Sequence, residues 1–252
     1  MNNGFITLAL SFLFLSLGCA KSNSTTGTAS LTLVNAVAGS GALITNFTGS
    51  EGSKVASPFE WYNTALQVSY GKGAEISSYG GVIALALRTV SDTVISIWSG
   101  QVDLRIGTIH TLFVTGIDSA HLDTLFTEDN PPYHSSTDSS LGIRFANLSQ
   151  ESSPVIVDLQ GLSDTLVQNL PYKGITFFLN LPANQSVAKY VFECRDAASR
   201  TLLSTFTMTG VSNGTGNNTA TNLYRFRNFT LTLGGVPGSS SAPQKLFLVN
   251  NY

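Results

Sequence analysis

Two short motifs carry residue types that could do chemistry, and each lacks the surroundings that the chemistry needs. GVSNG, residues 210–214, has the G-x-S-x-G spacing of a nucleophile elbow, but an elbow places its serine between a strand and a helix. The residues that follow Ser212 are TGNNTATN, which is typical of a loop. GKGAEI, residues 71–76, lacks the third glycine of a dinucleotide fingerprint and has no βαβ unit around it. We therefore expect both motifs to be turns.

The side chains that could bind a metal ion are few and scattered. His110, His121 and His134 show no H-x-x-x-H spacing, and the chain has no C-x-x-C pair. Glu128 and Asp129 could contact a calcium ion, but two carboxylates fall short of the roughly six to eight oxygens that calcium takes. The sequence therefore predicts no catalytic residue, no metal ligand and no cofactor, and we expect a protein that is not an enzyme.

Aromatic side chains offer a different chemistry, because an aromatic face can stack on the apolar face of a sugar ring. Trp98 in VISIWSG continues a strand pattern and is expected in a core, whereas Trp61 in PFEWYNT is the better candidate for exposure. We take Trp61, Tyr62, Tyr70 and Tyr79 as candidate ligand contacts, on loops at one end of a β-sandwich.

Composition narrows the class of partner and the class of fold. Only 11% of the 252 residues are charged, and the net charge is −2, so nothing indicates a nucleic-acid partner. Serine, threonine, asparagine and glycine are abundant, and β-branched and aromatic residues recur along the whole chain. This composition favours strands and turns over helices.

The N-terminus has the pattern of an export signal. The apolar run Phe5–Leu17 is shorter than the roughly 20 residues that span a bilayer as a helix and has the length of a signal-peptide apolar region. LSLGC, ending at Cys19, resembles a bacterial lipobox, although Ser16 stands where leucine is preferred and MNN has no basic residue. The resemblance implies removal of residues 1–18, lipidation of Cys19 and membrane attachment by the lipid. Ordinary cleavage nearby, which would leave Cys19 a plain thiol, is the alternative.

The second cysteine belongs to a strand pattern. Cys194 alternates with Tyr190 and Phe192 in YVFECR, so we expect an inert thiol that points into a core. A disulfide with Cys19 is the alternative, but residues 19–29, rich in serine and threonine, form a predicted flexible tether away from the packed strands.

An internal repeat gives the domain organisation. Leu31, Leu33 and Asn35 match Ile143, Phe145 and Asn147, each 112 residues later, and Gly49 matches Gly161 at the same offset. SDTVIS (91–96) matches SRTLLS (199–204) at an offset of 108, and TLFVTG (111–116) matches TLTLGG (230–235) at 119. The growth in offset falls on VSNGTGNNTAT, a predicted surface loop. We interpret the chain as a tandem duplication; biased composition is the alternative.

Within each copy, period-two alternation of apolar and polar residues predicts antiparallel sheets with one packed face. About seven strands in roughly 110 residues describe an immunoglobulin-like sandwich. We therefore predict an all-β protein with two tandem immunoglobulin-like antiparallel β-sandwich domains, residues 30–126 and 141–252, joined by a linker over residues 127–140. One weak helix candidate lies at DSAHLDTLF, residues 118–126. Asn35 and Asn147, with their glycines, are expected to serve turn geometry because they recur in both copies.

SLTLVNAVAGSGALITNF, LFTEDNPP and IRFANLSQESSPVIVDLQG resemble the domain-of-unknown-function 4397 family over most of residues 30–252. The first copy has Thr32 where the second has Arg144. The resemblance implies a β-sandwich of a Bacteroidota cell-envelope lipoprotein, anchored to the outer membrane on a face left open, with no catalytic residues to carry over. We expect a structural or interaction module with an envelope-protein or glycan partner; the alternative is a glycan-binding accessory lipoprotein.

Overall fold

The computed structural model describes residues 27–47, 67–163, 165–215 and 219–251, and within them the protein is all-β. Sixteen strands form four sheets of four strands each. The described residues contain no helix long and apolar enough to cross a membrane. The predicted class, all-β with two tandem sandwiches, is confirmed. The predicted signal peptide and Cys19 lie outside the described residues.

The first sandwich is built from eight strands in two sheets. The strands are β1 (Thr28–Val37), β2 (Ala42–Asn46), β3 (Gln67–Ser69), β4 (Lys72–Tyr79), β5 (Gly81–Thr89), β6 (Trp98–Leu104), β7 (Ile109–Asp118) and β8 (His121–Asp129). One sheet has the order β4-β1-β7-β8 and the other β3-β2-β5-β6. Apolar side chains of the two inner faces, including Leu31, Leu33, Leu85, Leu87 and Leu112, form its core.

The second sandwich repeats this topology strand for strand. Its strands are β9 (Ser140–Asn147), β10 (Val155–Leu159), β11 (Thr165–Leu170), β12 (Leu179–Pro182), β13 (Lys189–Asp196), β14 (Leu202–Thr209), β15 (Asn228–Gly234) and β16 (Lys245–Asn251). The sheet orders are β12-β9-β15-β16 and β11-β10-β13-β14, each strand eight places after its counterpart. Identical strand order in both halves confirms the predicted duplication.

The strand registers fix which residues of the two copies are equivalent. Ser30 pairs with Ile109 on β7, and Gly142 pairs with Asn228 on β15, which confirms the offsets of 112 and 119. The predicted offset of 108 is wrong by two, because the strand partner of Leu87 is Trp98 and that of Cys194 is Ser204.

One feature of the sheets escapes a period-two pattern. All strand pairs are antiparallel except β1–β7 and β9–β15, which are parallel. The chain leaves β1 for the opposite sheet and returns from β6 at the end where β1 began, so β7 must run in the same direction as β1. The sandwiches are therefore antiparallel apart from one central parallel pair in each.

The two equivalent asparagines hold the same turn in both copies. Asn35 Nδ2 donates to Val68 O at 2.9 Å, and its Oδ1 accepts from Val37 N at 3.0 Å. Asn147 Nδ2 donates to Leu170 O at 3.2 Å, and its Oδ1 accepts from Ser149 N at 3.2 Å. Both side chains are fully buried. The prediction that these asparagines serve the fold is confirmed.

The helix candidate at residues 118–126 is wrong, because this stretch is a β-hairpin. Asp118 Oδ1 accepts from Ala120 N at 2.8 Å and from His121 N at 2.9 Å, which closes the turn between β7 and β8. Strand β8 then continues to Asp129, so the first three residues of the predicted linker belong to the first sandwich.

Candidate functional site

The largest feature that the two sandwiches build together is their shared interface. Sheet β4-β1-β7-β8 of the first sandwich packs on sheet β12-β9-β15-β16 of the second through their outward faces. A separate apolar cluster fills the contact, made of Val34, Ala36, Phe113, Ala146, Leu148 and Val249, with Leu125, Ile175 and Phe247 packed against it. Because β1 and β9 carry apolar residues on both faces, each of these strands is buried between two cores.

A buried ion pair lies at the centre of this interface. Arg144 Nη1 donates to Asp129 Oδ1 at 2.7 Å, and the two side chains are 5% and 0% exposed. Asp129 also accepts from Thr111 Oγ1 at 2.5 Å and Thr127 Oγ1 at 2.8 Å. Arg144 Nε donates to Thr230 Oγ1 at 2.8 Å. A charge pair with this many hydrogen bonds satisfies the groups that burial has taken out of water.

Aromatic rings close the pair off on both sides. The guanidinium carbon of Arg144 lies 4.7 Å from the ring centre of Phe178 and 6.0 Å from that of Phe113. Phe113 belongs to the first sandwich and Phe178 to the second, so the arginine is held between the domains. Such cation–π contacts strengthen when they are desolvated.

The rim of the interface carries weaker polar contacts. Lys173 Nζ donates to Asp123 Oδ1 at 2.9 Å, and Tyr172 OH donates to Asp123 Oδ2 at 3.2 Å. Burial raises the pKa of Asp123, but the bonds from Lys173, Thr124 and Tyr172 outweigh it and leave that pKa below its ordinary value. Burial, and then the charge of Asp123, raise the pKa of Tyr172 to about 12.

Where the interface reaches solvent, the turns of both sandwiches form a shared cleft. Thr115 Oγ1 donates to Leu148 O at 2.5 Å, and Ile117 N donates to Gln150 Oε1 at 3.0 Å. Next to these bonds, the β1–β2, β7–β8, β9–β10 and β15–β16 connections enclose a cleft of about 380 Å³. We call this the junction cleft; Asp118 and Glu151 are its charged residues, and small residues line most of the rest.

The structure separates the predicted aromatic contacts. Tyr70 and Tyr79 stand just before the start and at the end of β4, roughly 25 Å apart at the rise of an extended strand, so their predicted position at one end of the sandwich is wrong. Tyr70 lies against Phe247 with ring centres 6.0 Å apart and belongs to the interface. Tyr79 is 59% exposed. Trp61 and Tyr62 lie outside the described residues.

The residues considered for metal binding have other roles. Glu128 pairs with Arg105, and Asp129 with Arg144. His110 is buried and stacks on Phe126 with ring centres 5.0 Å apart. Within the described ranges no group of three or more His, Cys, Asp or Glu side chains could hold a metal ion.

Sequence reasoning missed the Arg144–Asp129 pair. Arg144 follows the apolar residues of LGIRFAN, and Asp129 lies in the predicted linker. An arginine on a strand whose neighbours are all apolar was the available signal, since an isolated buried charge requires a partner. The sequence could not identify that partner, because Asp129 belongs to the other domain.

Comparison with known proteins adds little. No family model matches the chain, and no curated protein matches it. Among solved structures, the Bacillus anthracis TIE protein is 10% identical, with a TM-score of 0.20 over 88% of this chain and 34% of that one, so this chain spans about a third of its length. A streptococcal virulence factor that binds alpha-glucan is 9% identical, with a TM-score of 0.22 over 71% and 87%. A Bacteroides eggerthii protein named for cell adhesion is 9% identical, with a TM-score of 0.24 over 89% and 97%.

Proposed function

We propose that this protein is a non-enzymatic cell-envelope lipoprotein, anchored through Cys19, that acts as a rigid interaction module. One observation carries the proposal: the interface with the buried Arg144–Asp129 pair joins the two sandwiches into a single body. Two domains on a flexible linker would reorient independently, whereas a large apolar interface suppresses such motion. A rigid body on a flexible tether suits a role in display and contact.

The direction of β1 indicates which surface such a body presents. The predicted tether precedes Thr28 at the start of β1, and the junction cleft lies beyond Val37 at its end. Ten strand residues span about 30 Å, so the cleft faces away from the anchored end. We propose that the loops around the junction cleft contact an envelope partner.

Site-specific crosslinking in cells tests this orientation. A photoreactive residue is placed at Ser240, an exposed residue of the β15–β16 loop, and in a second variant at Gln185, an exposed residue at the tether end. We expect one discrete adduct from position 240 and none from position 185. Adducts from 185 alone, or from neither site, would contradict the proposed surface.

Membrane fractionation tests the anchor separately. Cys19→Ser removes the only thiol that a lipobox enzyme would modify, because the other cysteine, Cys194, is buried in the second core. We expect the variant to leave the membrane fraction. Persistence of Cys19→Ser in that fraction would refute lipidation while leaving the crosslinking result valid.

Glycan binding at the opposite end is the second candidate, favoured by the exposure of Tyr79. Strand β2, which precedes the segment containing Trp61 and Tyr62, ends on the same side of the sandwich as Tyr79. A glycan array with the Cys19→Ser protein compares wild-type loops with Trp61→Ala and Tyr79→Ala. Binding that both substitutions abolish supports this candidate; an array without binding rules it out.

A further inference from the structure

The interface pairs equivalent faces of the two sandwiches. The registers assign each interface residue a counterpart in the other copy, since β1 and β9 differ by 112 residues and β7 and β15 by 119. Asp129 pairs with Ile109 at the start of β7, and Asn251 pairs with Asn228 at the start of β15. The counterparts are therefore Arg144 with Thr32, Thr111 with Thr230, Phe113 with Thr232, and Asp129 with Asn251.

Contacts at the two sides of the interface are reciprocal. Tyr172 follows β11 and lies against Thr115 and Asp123 of the first sandwich. Its counterpart Tyr70 follows β3 and lies against Phe247 and Gly234 of the second sandwich. Gly234 is the counterpart of Thr115. When residue i contacts j, and the counterpart of i contacts the counterpart of j, the interface is isologous and has a two-fold axis.

The two halves of this interface differ at their centres. The half around Arg144 has the ion pair with Asp129 and the ring of Phe113. The counterpart half has Thr32, Asn251 and Thr232 in these places, and Thr32 Oγ1, Asn251 Nδ2 and Thr232 Oγ1 are buried with no hydrogen-bond partner among the described residues. Both charges are absent from this half together, as expected when one buried charge without the other would be costly.

Space beside Thr32 accompanies the loss of the larger side chains. A groove of about 480 Å³ runs between β4 and β16, lined by Gly73, Glu75 and Val249 among others. A Cβ atom built on Gly73 would lie 3.3 Å from Thr32 Cγ2 and 2.8 Å from Val249 Cγ1, so these three residues meet beside the groove. Ile175 occupies the position of Gly73 in the other half and is packed into the interface.

We infer that the interface is a two-fold homodimer-type surface fused into one chain, in which each sheet face recognises a second copy of itself. The Thr32 half retains the backbone geometry that holds the arginine–aspartate pair in the Arg144 half. An arginine at position 32 and an aspartate at position 251 would therefore pair as Arg144 and Asp129 do.

A double-mutant cycle with Thr32→Arg and Asn251→Asp tests this inference. Glu75 is the strand partner of Thr32 and could neutralise the arginine, so all variants carry Glu75→Gln. We expect each single substitution to lower the melting temperature, and the double variant to melt about 5–10 °C above Thr32→Arg alone. The matched control is Thr32→Arg with Asn250→Asp, because Asn250 is exposed on the other face of β16; we expect no recovery there.

Every outcome of the cycle bears on the inference. Recovery of soluble protein by Asn251→Asp, should Thr32→Arg alone be insoluble, supports it. Strictly additive shifts, a double variant that does not fold, or equal recovery by Asn250→Asp would overturn it. None of these results depends on the anchor or the partner, so the inference and the proposed function fail independently.

Discussion

Replacing Asp129 by asparagine is the sharpest perturbation of the interface. Asparagine keeps the shape of the side chain but removes the charge that Arg144 contacts at 2.7 Å. Arg144 is 5% exposed, so its guanidinium would remain buried with neutral partners only. Breaking a buried ion pair by removing one member costs about 3–5 kcal/mol, which corresponds to a melting temperature lower by roughly 6–20 °C for a chain of this size.

Equilibrium urea denaturation followed by circular dichroism measures this loss. Asp103→Asn is the control, because Asp103 is an exposed acid on β6, and its change should stay within about 0.5 kcal/mol. Adding Arg144→Met to Asp129→Asn should restore most of the stability, since apolar replacement of both members is often neutral. A change for Asp129→Asn no larger than that of the control would refute a buried pair at the interface.

Three further predictions concern single side chains. Tyr70→Ala should lower the free energy of unfolding by about 1–3 kcal/mol because its ring packs on Phe247, whereas Tyr79→Ala should change it by less than about 1 kcal/mol; equal effects in urea denaturation would contradict the assignment of Tyr70 to the interface. Asn147→Ala should cost about 2–4 kcal/mol by leaving Leu170 O and Ser149 N unpaired, and a loss no larger than that of Asn250→Ala would refute its turn role. Burial and the charge of Asp158 raise the pKa of Cys194 to about 12 from an ordinary 9.0, so the folded state binds the thiol proton more tightly; stability should therefore fall as the pH rises above about 9, and Cys194→Ala should flatten that fall.

The sequence predicted the strands whose two faces differ in polarity. In β13, Tyr190, Phe192 and Cys194 point into the second core, as their alternation indicated. The duplication was visible because the same apolar positions recur at a fixed offset. The turn role of Asn35 and Asn147 followed from their recurrence in both copies, without any knowledge of what they bond.

The strands at the interface were harder to predict, because both of their faces are covered. In β8, Leu122 packs on the first core and Leu125 packs on the interface cluster. Together with Phe126 they have the three- and four-residue spacing of a helix, and this produced the wrong helix at residues 118–126. Tyr70 was similarly assigned to a ligand surface, because nothing local in the sequence shows that a second domain covers it.

The distance between the two outer sheets tests most directly whether the sandwiches form one rigid body. Spin labels at Gln101 on β6 and Thr205 on β14, both exposed, would be measured by pulsed electron paramagnetic resonance in the Cys19→Ser protein, where Cys194 is too buried to label. We predict one narrow distance distribution that broadens when Asp129→Asn is added. A broad distribution in the protein with Asp129 intact would contradict the rigid interface.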